Sequence, residues 1–264
     1  MPFNPHPRHP GRPIACLGID PSAADLAAWG LPDAPEGALA FGRALLAAAG
    51  GACPVVKPQV AYFERFGAAG YAVLETLIGE AREAGLTVIA DAKRADIGPT
   101  MDAYAQAWIG PDAPLQVDAV TAVPYLGLDA LRPLLDRAFA AGAYVFVVTR
   151  SSNPEGAAVQ GHGAPPLWQH VAEGIAGMGA DYAPGFPGAV IGATDPVDLR
   201  RAAQIMPDAR FLVPGIGAQG GRMEDLDALP PEVRERLVVS SARAVASQGP
   251  SAARLRAAVA ALAG

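Results

Sequence analysis

Eight short apolar runs, each followed by a segment with helical periodicity, most restrict the fold of this 264-residue chain. One such segment is YAVLETLIGEAREAG (residues 71–85), where apolar residues recur about every 3.6 positions, as on one face of a helix. Runs that are apolar on both faces are typical of parallel strands covered by helices. Eight strand–helix units predict a single (β/α)8 barrel, with a doubly wound open sheet as the alternative. The predicted strands are residues 14–19, 55–60, 87–92, 117–123, 143–149, 189–194, 210–214 and 237–241.

No linker divides the chain, so we expect one barrel domain over residues 1–264, with an extended N-terminal arm at residues 1–12. The arm contains repeated prolines and no apolar signal core, and we expect a cytoplasmic protein. His6 and His9 within the arm could bind a metal ion, although a solvated tail is the simpler interpretation.

The composition excludes several classes of protein. Charged residues make up 17% and hydrophobic residues 51% of the chain, which is not the composition of a disordered protein. The formal net charge is -6, and nucleic acid is not an expected partner because binding a phosphate backbone requires a basic face. No unbroken apolar run of about 18 residues occurs, so we expect no membrane span. Cys16 and Cys53 lie among apolar residues and are expected to be buried free thiols.

The lysines indicate where chemistry is expected. Of the 20 basic side chains, 18 are arginines, and the only lysines are Lys57 and Lys93. Both lie at the carboxyl ends of predicted strands, where (β/α)8 barrels carry their active sites. Other polar residues at or after the ends of the runs are Asp20, Asp91, Thr121, Ser151, Ser152 and Arg243.

The segment DAKRADI (residues 91–97) places two acids next to Lys93. Regular strand alternation would put Asp91 and Lys93 on one face, toward the mouth of the barrel. Asp96 follows after the strand has ended, so its position is separate from this pair. One alternative is a structural salt bridge between Asp91 and Lys93. Another is a divalent-metal site formed by Asp20, Asp91 and Asp96, but the lysines already supply counter-charge, and we expect no metal.

The segment PGIGAQGG (residues 214–221) contains four glycines and precedes a predicted helix. Such a loop exposes backbone N–H groups and lets an anion approach closely, although it could also be a simple turn. Arg243 follows the eighth run, and phosphate sites in barrels commonly use the loops after strands seven and eight. Together these features predict a phosphorylated ligand.

The segment TRSSNPEG (residues 149–156) supplies hydroxyl groups before a turn-forming Asn-Pro pair. It predicts hydrogen-bonding groups for a polar ring, with an ordinary capped turn as the alternative. The glycine- and proline-rich residues 156–166 could form a mobile cover over the site.

In their order along the chain, these motifs resemble those of orotidine 5′-phosphate decarboxylase. DAKRADI is similar to the Asp-x-Lys-x-x-Asp motif of that family, and the resemblance includes LGIDP, VKPQVAYFERFG, SNPEG, PGIGAQGG and Arg243. The forms VKPQVAYFERFG and AKR are similar to those of the bacterial branch with somewhat longer chains. The resemblance implies conversion of orotidine 5′-monophosphate to uridine 5′-monophosphate and CO2 in pyrimidine biosynthesis. It also implies that no cofactor is used and that Lys93 is the proton donor.

The resemblance further implies a role for each site residue. Lys57, Asp91 and Lys93 would form an alternating charge network, completed by Asp96 from the second subunit of a homodimer. The other implied contacts are Asp20 and Lys57 to the ribose hydroxyls, Thr100 across the subunit interface, Ser152 to the pyrimidine amide edge, Gln219 between ring and phosphate, Ala242 and Arg243 to the phosphate, and Pro214 to the substrate.

Two positions depart from the family pattern. Ala95 and Ala242 stand where glycine is common, but Ala95 carries no chemistry and the backbone N–H of Ala242 remains available. Two other functions stay open at this point. A magnesium-dependent sugar-phosphate decarboxylase or aldolase of the same superfamily would place an acid near the position of Lys57. A non-catalytic barrel that binds a phosphate ligand would not need both lysines and both acids.

Overall fold

The computed structural model describes residues 3, 5, 10–193, 196–216 and 220–263. Within them, eight parallel strands form a closed barrel in which each strand pairs with the next and the eighth pairs with the first. The predicted (β/α)8 barrel is therefore confirmed, and the alternative of an open doubly wound sheet is wrong. The strands are β1 (Ile14–Ile19), β2 (Val55–Pro58), β3 (Thr87–Arg94), β4 (Ala119–Ala122), β5 (Tyr144–Arg150), β6 (Gly188–Ile191), β7 (Phe211–Val213) and β8 (Leu237–Ser241).

Helices cover the outside of this barrel, and the amphipathic stretch at residues 71–85 lies almost entirely in one of them. Within the described residues, no helix is both long and apolar enough to cross a membrane. The cytoplasmic location expected from the sequence remains a prediction. The helices are α1 (Ala23–Ala28), α2 (Pro35–Ala49), α3 (Ala61–Glu64), α4 (Gly67–Glu83), α5 (Gly98–Trp108), α6 (Arg132–Ala141), α7 (Ala157–Gln160), α8 (Leu167–Met178), α9 (Pro196–Ile205), α10 (Met223–Asp227), α11 (Pro231–Arg234), α12 (Arg243–Ala246) and α13 (Ala252–Ala263).

The predicted bounds of β1 and β8 agree with the structure, whereas the predicted end of β3 does not. This strand runs to Arg94, two residues beyond its predicted end. Lys93 therefore lies within the strand, as Asp91 does, and not after it. The cause is that Arg94 pairs with Ala122 of β4, which apolar periodicity cannot show.

Apolar side chains fill the barrel and the space between the sheet and the helices. Every residue of β1, β2, β4 and β8 is buried, as expected for parallel strands covered on both faces. Cys16 and Cys53 are buried free thiols, as predicted. Burial raises the pKa of Cys53 to about 11, so this thiol stays protonated and unreactive at neutral pH.

Phe3 belongs to the core although it lies in the N-terminal arm. It is 5% exposed, and its ring centroid lies 5.7 Å from that of Tyr144 and 5.5 Å from that of Phe146. Because Tyr144 begins β5, Phe3 packs at the end of the barrel opposite the carboxyl ends of the strands. His6 and His9 lie outside the described residues.

Candidate active site

A cavity of about 290 Å³ opens at the carboxyl ends of the strands, the place where (β/α)8 barrels carry their active sites. Most of the residues predicted from the sequence meet there. The predicted residues that line the cavity are Asp20, Lys57, Asp91, Lys93, Ser152, Pro214, Ala242 and Arg243.

Two of the predicted residues that the structure describes, Asp96 and Thr100, are not among those that line this cavity. Asp96 accepts a hydrogen bond of 2.8 Å from the N–H of Ile97, just before α5 begins. Thr100 lies in the first turn of α5 and is exposed. Gln219 lies outside the described residues.

Asp91 is the centre of a network of four donors. Its Oδ2 atom accepts hydrogen bonds from Lys57 Nζ at 2.8 Å and Gln59 Nε2 at 2.9 Å. Its Oδ1 atom accepts from Lys93 Nζ at 2.6 Å and Thr121 Oγ1 at 3.0 Å. Each carboxylate oxygen therefore binds one ammonium and one neutral donor. Both lysines of the chain converge on the same carboxylate at the wall of the cavity.

Burial and charge act in opposite directions within this network. Burial raises the pKa of Asp91, but Lys57 and Lys93 outweigh it and hold this pKa well below its usual range. Burial lowers the pKa of Lys57, but Asp91 and Asp20 outweigh it, and the pKa lies above its usual value. Lys57 is 5% exposed and Asp91 is 8% exposed. Removing the charge of one would leave the other buried and uncompensated, so both stay ionised at neutral pH.

A bulge in β3 brings Asp91 and Lys93 to the cavity together. Regular pairing with β4 stops at Ala90 and resumes at Arg94, and the three intervening residues lie opposite Thr121 alone. Lys93 has a φ of 48°, in the left-handed region that residues other than glycine rarely adopt. The regular alternation expected from the sequence is therefore wrong for this segment, although both side chains do reach the cavity. Bulges and such backbone outliers are common next to active sites.

Thr121 holds this bulge from the neighbouring strand. Its hydroxyl accepts the backbone N–H of Lys93 at 2.9 Å and donates to Asp91 at 3.0 Å, which one hydroxyl can do at once. The sequence indicates no role for Gln59, and it predicts of Thr121 only that it lies at the active-site end of its run. Gln59 lies two residues after Lys57, and Thr121 is a polar residue inside an apolar run, so both carried a weak signal.

Asp20 follows β1 and reaches the cavity with one free acceptor. Its Oδ1 atom is buried and has no hydrogen-bond partner among the described residues. Burial raises the pKa of Asp20, and Lys57 partly opposes this. Since buried polar atoms are normally satisfied, this oxygen is suited to accept a hydrogen bond from a bound ligand.

The loops after β7 and β8 form a wall of the cavity that is suited to an anion. Arg243 begins α12 and lines the cavity, and its guanidinium has no hydrogen bond or ion pair with any described residue. Gly215, in the segment PGIGAQGG, has a φ of 101°, which favours glycine. Ala242 has a φ of -118°, so alanine is accommodated where the family pattern has glycine. An unpaired guanidinium beside a glycine-rich loop is a recurrent arrangement for binding phosphate.

Gln160 fixes the hydroxyl-bearing loop after β5. Its Oε1 atom accepts hydrogen bonds from the N–H of Ser151 at 3.0 Å and from Arg150 Nη1 at 3.2 Å. Its Nε2 atom donates to Ser151 Oγ at 2.8 Å. Ser152, the next residue, is thereby placed at the cavity wall. Gln160 lies within residues 156–166, whose role as a mobile cover remains a prediction.

The alternative of a carboxylate metal site is not favoured by the arrangement of these side chains. In the parts of the chain that the structure describes, no three His, Cys, Asp or Glu side chains form a group that could hold a metal ion. Asp96 is not among the residues that line the cavity, and the oxygens of Asp91 already accept from two lysines.

Comparisons with known proteins agree on one family. The family model described as "Orotidine 5'-phosphate decarboxylase / HUMPS family" matches residues 15–258. The orotidine 5′-phosphate decarboxylase of Corynebacterium efficiens is 41% identical over 253 residues, which are 92% of this chain and 89% of the relative. That of Salinispora arenicola is 44% identical over 247 residues, covering 92% and 88%.

Solved structures show the same similarity. A chain from Streptomyces avermitilis has a TM-score of 0.86 and 42% identity, covering 96% of this chain and 89% of that one. The OMP decarboxylase of Leishmania donovani has a TM-score of 0.76 and 35% identity, covering 95% and 91%.

Proposed function

The chain belongs to the orotidine 5′-phosphate decarboxylase / HUMPS family, and we propose that it converts orotidine 5′-monophosphate to uridine 5′-monophosphate and CO2 in pyrimidine biosynthesis. One observation carries the proposal: the only two lysines of the chain, Lys57 and Lys93, both bind the buried carboxylate of Asp91 at the cavity wall. This pattern places an ammonium group next to a fixed negative charge, at a site that also contains Arg243, whose guanidinium has no partner among the described residues.

Lys57 argues against the sugar-phosphate branch of the superfamily. A magnesium-dependent enzyme of that type would place an acid near this position. Here the position holds a buried ammonium that donates to Asp91 at 2.8 Å. A cation at this distance competes with a divalent metal for the same carboxylate, so the decarboxylase reaction fits the site better.

The substrate is assigned to the cavity by its chemical groups. The phosphate binds Arg243 and the backbone N–H of Ala242. The ribose hydroxyls bind Lys57 and Asp20, whose Oδ1 atom lacks a partner within the described part of the chain. Ser152 binds the amide edge of the pyrimidine. Two further residues assigned to the substrate are Pro214, at the cavity wall, and Gln219, outside the described residues.

The chemical step is loss of CO2 from the pyrimidine ring, followed by protonation of the same carbon. The C–C bond breaks, its electron pair stays on the ring carbon, and Lys93 stabilises this developing carbanion as an ammonium. Lys93 then donates a proton from Nζ to the carbon and is reprotonated from water. Asp91 accepts from Lys93 at 2.6 Å, which orients the ammonium.

The magnitudes indicate which interaction matters most. Repulsion between Asp91 and the substrate carboxylate, at about 3 Å and an effective dielectric constant of about 20, amounts to about 5 kcal/mol. The slowest uncatalysed reactions require a barrier reduction of more than about 20 kcal/mol. Stabilisation of the carbanion by Lys93 is therefore the main contribution, with phosphate binding energy used to order the site.

A second copy of the chain is proposed to complete each site. Asp96 and Thr100 do not line the cavity of their own chain, which is what residues that serve a neighbouring site would show. Large apolar side chains in the segments that follow the neighbouring strands β3 and β4 are exposed: Ile97 by 60%, Tyr125 by 80% and Leu126 by 54%. Exposed apolar residues that cluster at one edge are typical of an interface.

Mixing two inactive variants tests this shared site. Lys93→Ala and Asp96→Ala are each expected to lose activity alone. A hybrid dimer would contain one site with both Lys93 and Asp96 intact, so mixing after dissociation and reassociation should restore activity. If the mixture stays inactive while hybrid dimers form, Asp96 does not act across the interface.

The reaction itself is tested by following the absorbance of orotidine 5′-monophosphate incubated with the purified protein and EDTA. Conversion to uridine 5′-monophosphate at the same rate with and without EDTA is the expected result. Tight binding of a uridine phosphate without conversion would instead indicate a binding protein. Neither conversion nor binding would refute the assignment, and sugar phosphates with Mg²⁺ would be assayed next.

A further inference from the structure

Arg94 ends β3 directly after Lys93, yet it is not among the residues that line the active-site cavity. Its side chain is 19% exposed and contacts the helices outside the barrel. No step of the proposed reaction uses it. Its position at the end of the bulge nevertheless connects it to the residues that carry the chemistry.

Arg94 is held by hydrogen bonds to groups far away in the sequence. Its Nη2 atom binds the carboxylate of Glu64, at the end of α3, and lies 3.1 Å from the hydroxyl of Tyr71 on α4. Tyr71 in turn donates to Glu64 at 2.6 Å. We call Arg94, Glu64 and Tyr71 the Arg94 clamp. Because each member contacts the other two, the guanidinium has one well-defined position.

Two further contacts fix the plane of the guanidinium. It lies 5.4 Å from the ring centroid of Tyr104 and 5.9 Å from that of Trp108, both on α5. Trp108 is 2% exposed, so this part of the helix belongs to the core. The clamp therefore connects the end of β3 to α3, α4 and α5.

The clamp also acts on the bulge itself. Arg94 Nη1 donates to the carbonyl oxygen of Ala92 at 3.2 Å, inside the three residues that lie opposite Thr121. Lys93, between Ala92 and Arg94, has the left-handed φ of 48°. A residue keeps such a conformation only where its surroundings impose it. Thr121 binds the bulge from the neighbouring strand, and Arg94 binds it from the side of the helices.

We propose that Arg94 is a positioning residue for catalysis: the Arg94 clamp holds the β3 bulge, and through it sets the place of the Lys93 ammonium. The inference rests on the proposed function, since its readout is the turnover of orotidine 5′-monophosphate. It predicts that disturbing the clamp reduces turnover without weakening the binding of phosphate, ribose or ring, because those contacts come from other loops.

The alternative is that Arg94 forms an ordinary ion pair that contributes only to stability. The chain offers a matched control for this. Arg43 on α2 donates from Nε at 2.9 Å and from Nη2 at 2.6 Å to Glu80 on α4, and neither residue lines the cavity. Replacing Arg43 by lysine changes an arginine–glutamate ion pair in which neither side chain has a hydrogen bond to β3.

The experiment compares Arg94→Lys, Glu64→Gln and Arg43→Lys with the unaltered enzyme. Lysine is a point charge that cannot contact Glu64, Tyr71 and Ala92 O together, so it should not rescue the clamp. A displacement of about 1 Å at a catalytic group can cost about a hundredfold in rate, and kcat of Arg94→Lys should fall by about tenfold to a hundredfold. KM and the Kd for uridine 5′-monophosphate should change by less than about threefold.

The variants also separate the possible outcomes. Glu64→Gln keeps the shape of the side chain and should also lower kcat, by a smaller factor than Arg94→Lys. This variant tests the proposal even if Arg94→Lys does not fold. Arg43→Lys should keep kcat unchanged. If the Arg94 and Glu64 variants lower only the unfolding midpoint and keep kcat, the positioning role is refuted. An unaltered enzyme that does not convert the substrate would refute the proposed function, and this role with it.

Discussion

Replacing Thr121 by valine removes one hydroxyl from the centre of the site while keeping the shape of the side chain. Two interactions are lost: the backbone N–H of Lys93 loses its acceptor at 2.9 Å, and Asp91 loses a donor at 3.0 Å. Thr121 is 1% exposed, so water cannot readily replace the hydroxyl. The left-handed backbone of Lys93 loses its contact to the neighbouring strand at the same time.

The expected destabilisation follows from these two losses. A buried N–H group left without an acceptor costs about 1–3 kcal/mol. A hydrogen bond to a charged group contributes about 1.5–3 kcal/mol, and the lower end applies because Asp91 keeps three other donors. The free energy of unfolding should therefore fall by about 2.5–4.5 kcal/mol.

Thr149 supplies the control. It is also buried, at 3% exposure, and its hydroxyl donates at 3.0 Å to the carbonyl of Val147 in the same strand. Because this is a single neutral hydrogen bond, Thr149→Val should cost about 1 kcal/mol.

Equilibrium urea unfolding of the three proteins measures the two costs, and the decarboxylation assay measures kcat. Thr121→Val should lose turnover as well as stability, whereas Thr149→Val should lose only stability. If the two variants lie within about 0.5 kcal/mol of each other and have the same kcat, the hydroxyl of Thr121 does not hold the bulge.

Three further predictions concern the charged residues. Lys93→Ala should abolish turnover while uridine 5′-monophosphate still binds, as checked by calorimetry; retained turnover would remove Lys93 as the proton donor. Arg243→Ala should mainly raise KM for the phosphorylated substrate, whereas Arg254→Ala, an exposed arginine on α13, should not, and equal KM values would remove Arg243 from the phosphate site. Burial raises the pKa of Asp20. The protonated carboxyl therefore stabilises the folded state below the ordinary carboxyl pKa, and this stabilisation is lost as the pH rises through the raised pKa. Asp20→Asn should therefore unfold at a higher urea concentration at pH 7, with a gain that disappears below about pH 4, and should bind substrate less tightly; an unchanged or lower urea midpoint at pH 7 would contradict the pKa argument.

Much of the fold could be predicted from the sequence because strands buried on both faces leave a strong pattern. The eight apolar runs all correspond to strands, and the bounds of β1 and β8 are correct to the residue. The scarcity of lysine identified Lys57 and Lys93, and the rule that barrel sites lie at the carboxyl ends of strands placed them together. The structure brings both to one carboxylate.

The sequence does not predict the contacts of the candidate site that join distant parts of the chain. Gln59 reaches Asp91 across 32 positions, and Thr121 reaches it across 30. A single glutamine or threonine next to a strand has many ordinary uses, so neither residue could be assigned to the site from its own surroundings. Phe3 likewise carries no local sign that it packs against β5.

The sequence by itself determined the barrel, the position of its active-site end and the residue types available there, because these depend on local periodicity and composition. Only the tertiary structure decided how β3 departs from regular pairing. Three residues of β3 lie opposite Thr121 alone, and Arg94 is held by Glu64, 30 positions earlier in the chain. The register between two strands depends on both partners at once, and no pattern within a single strand records it.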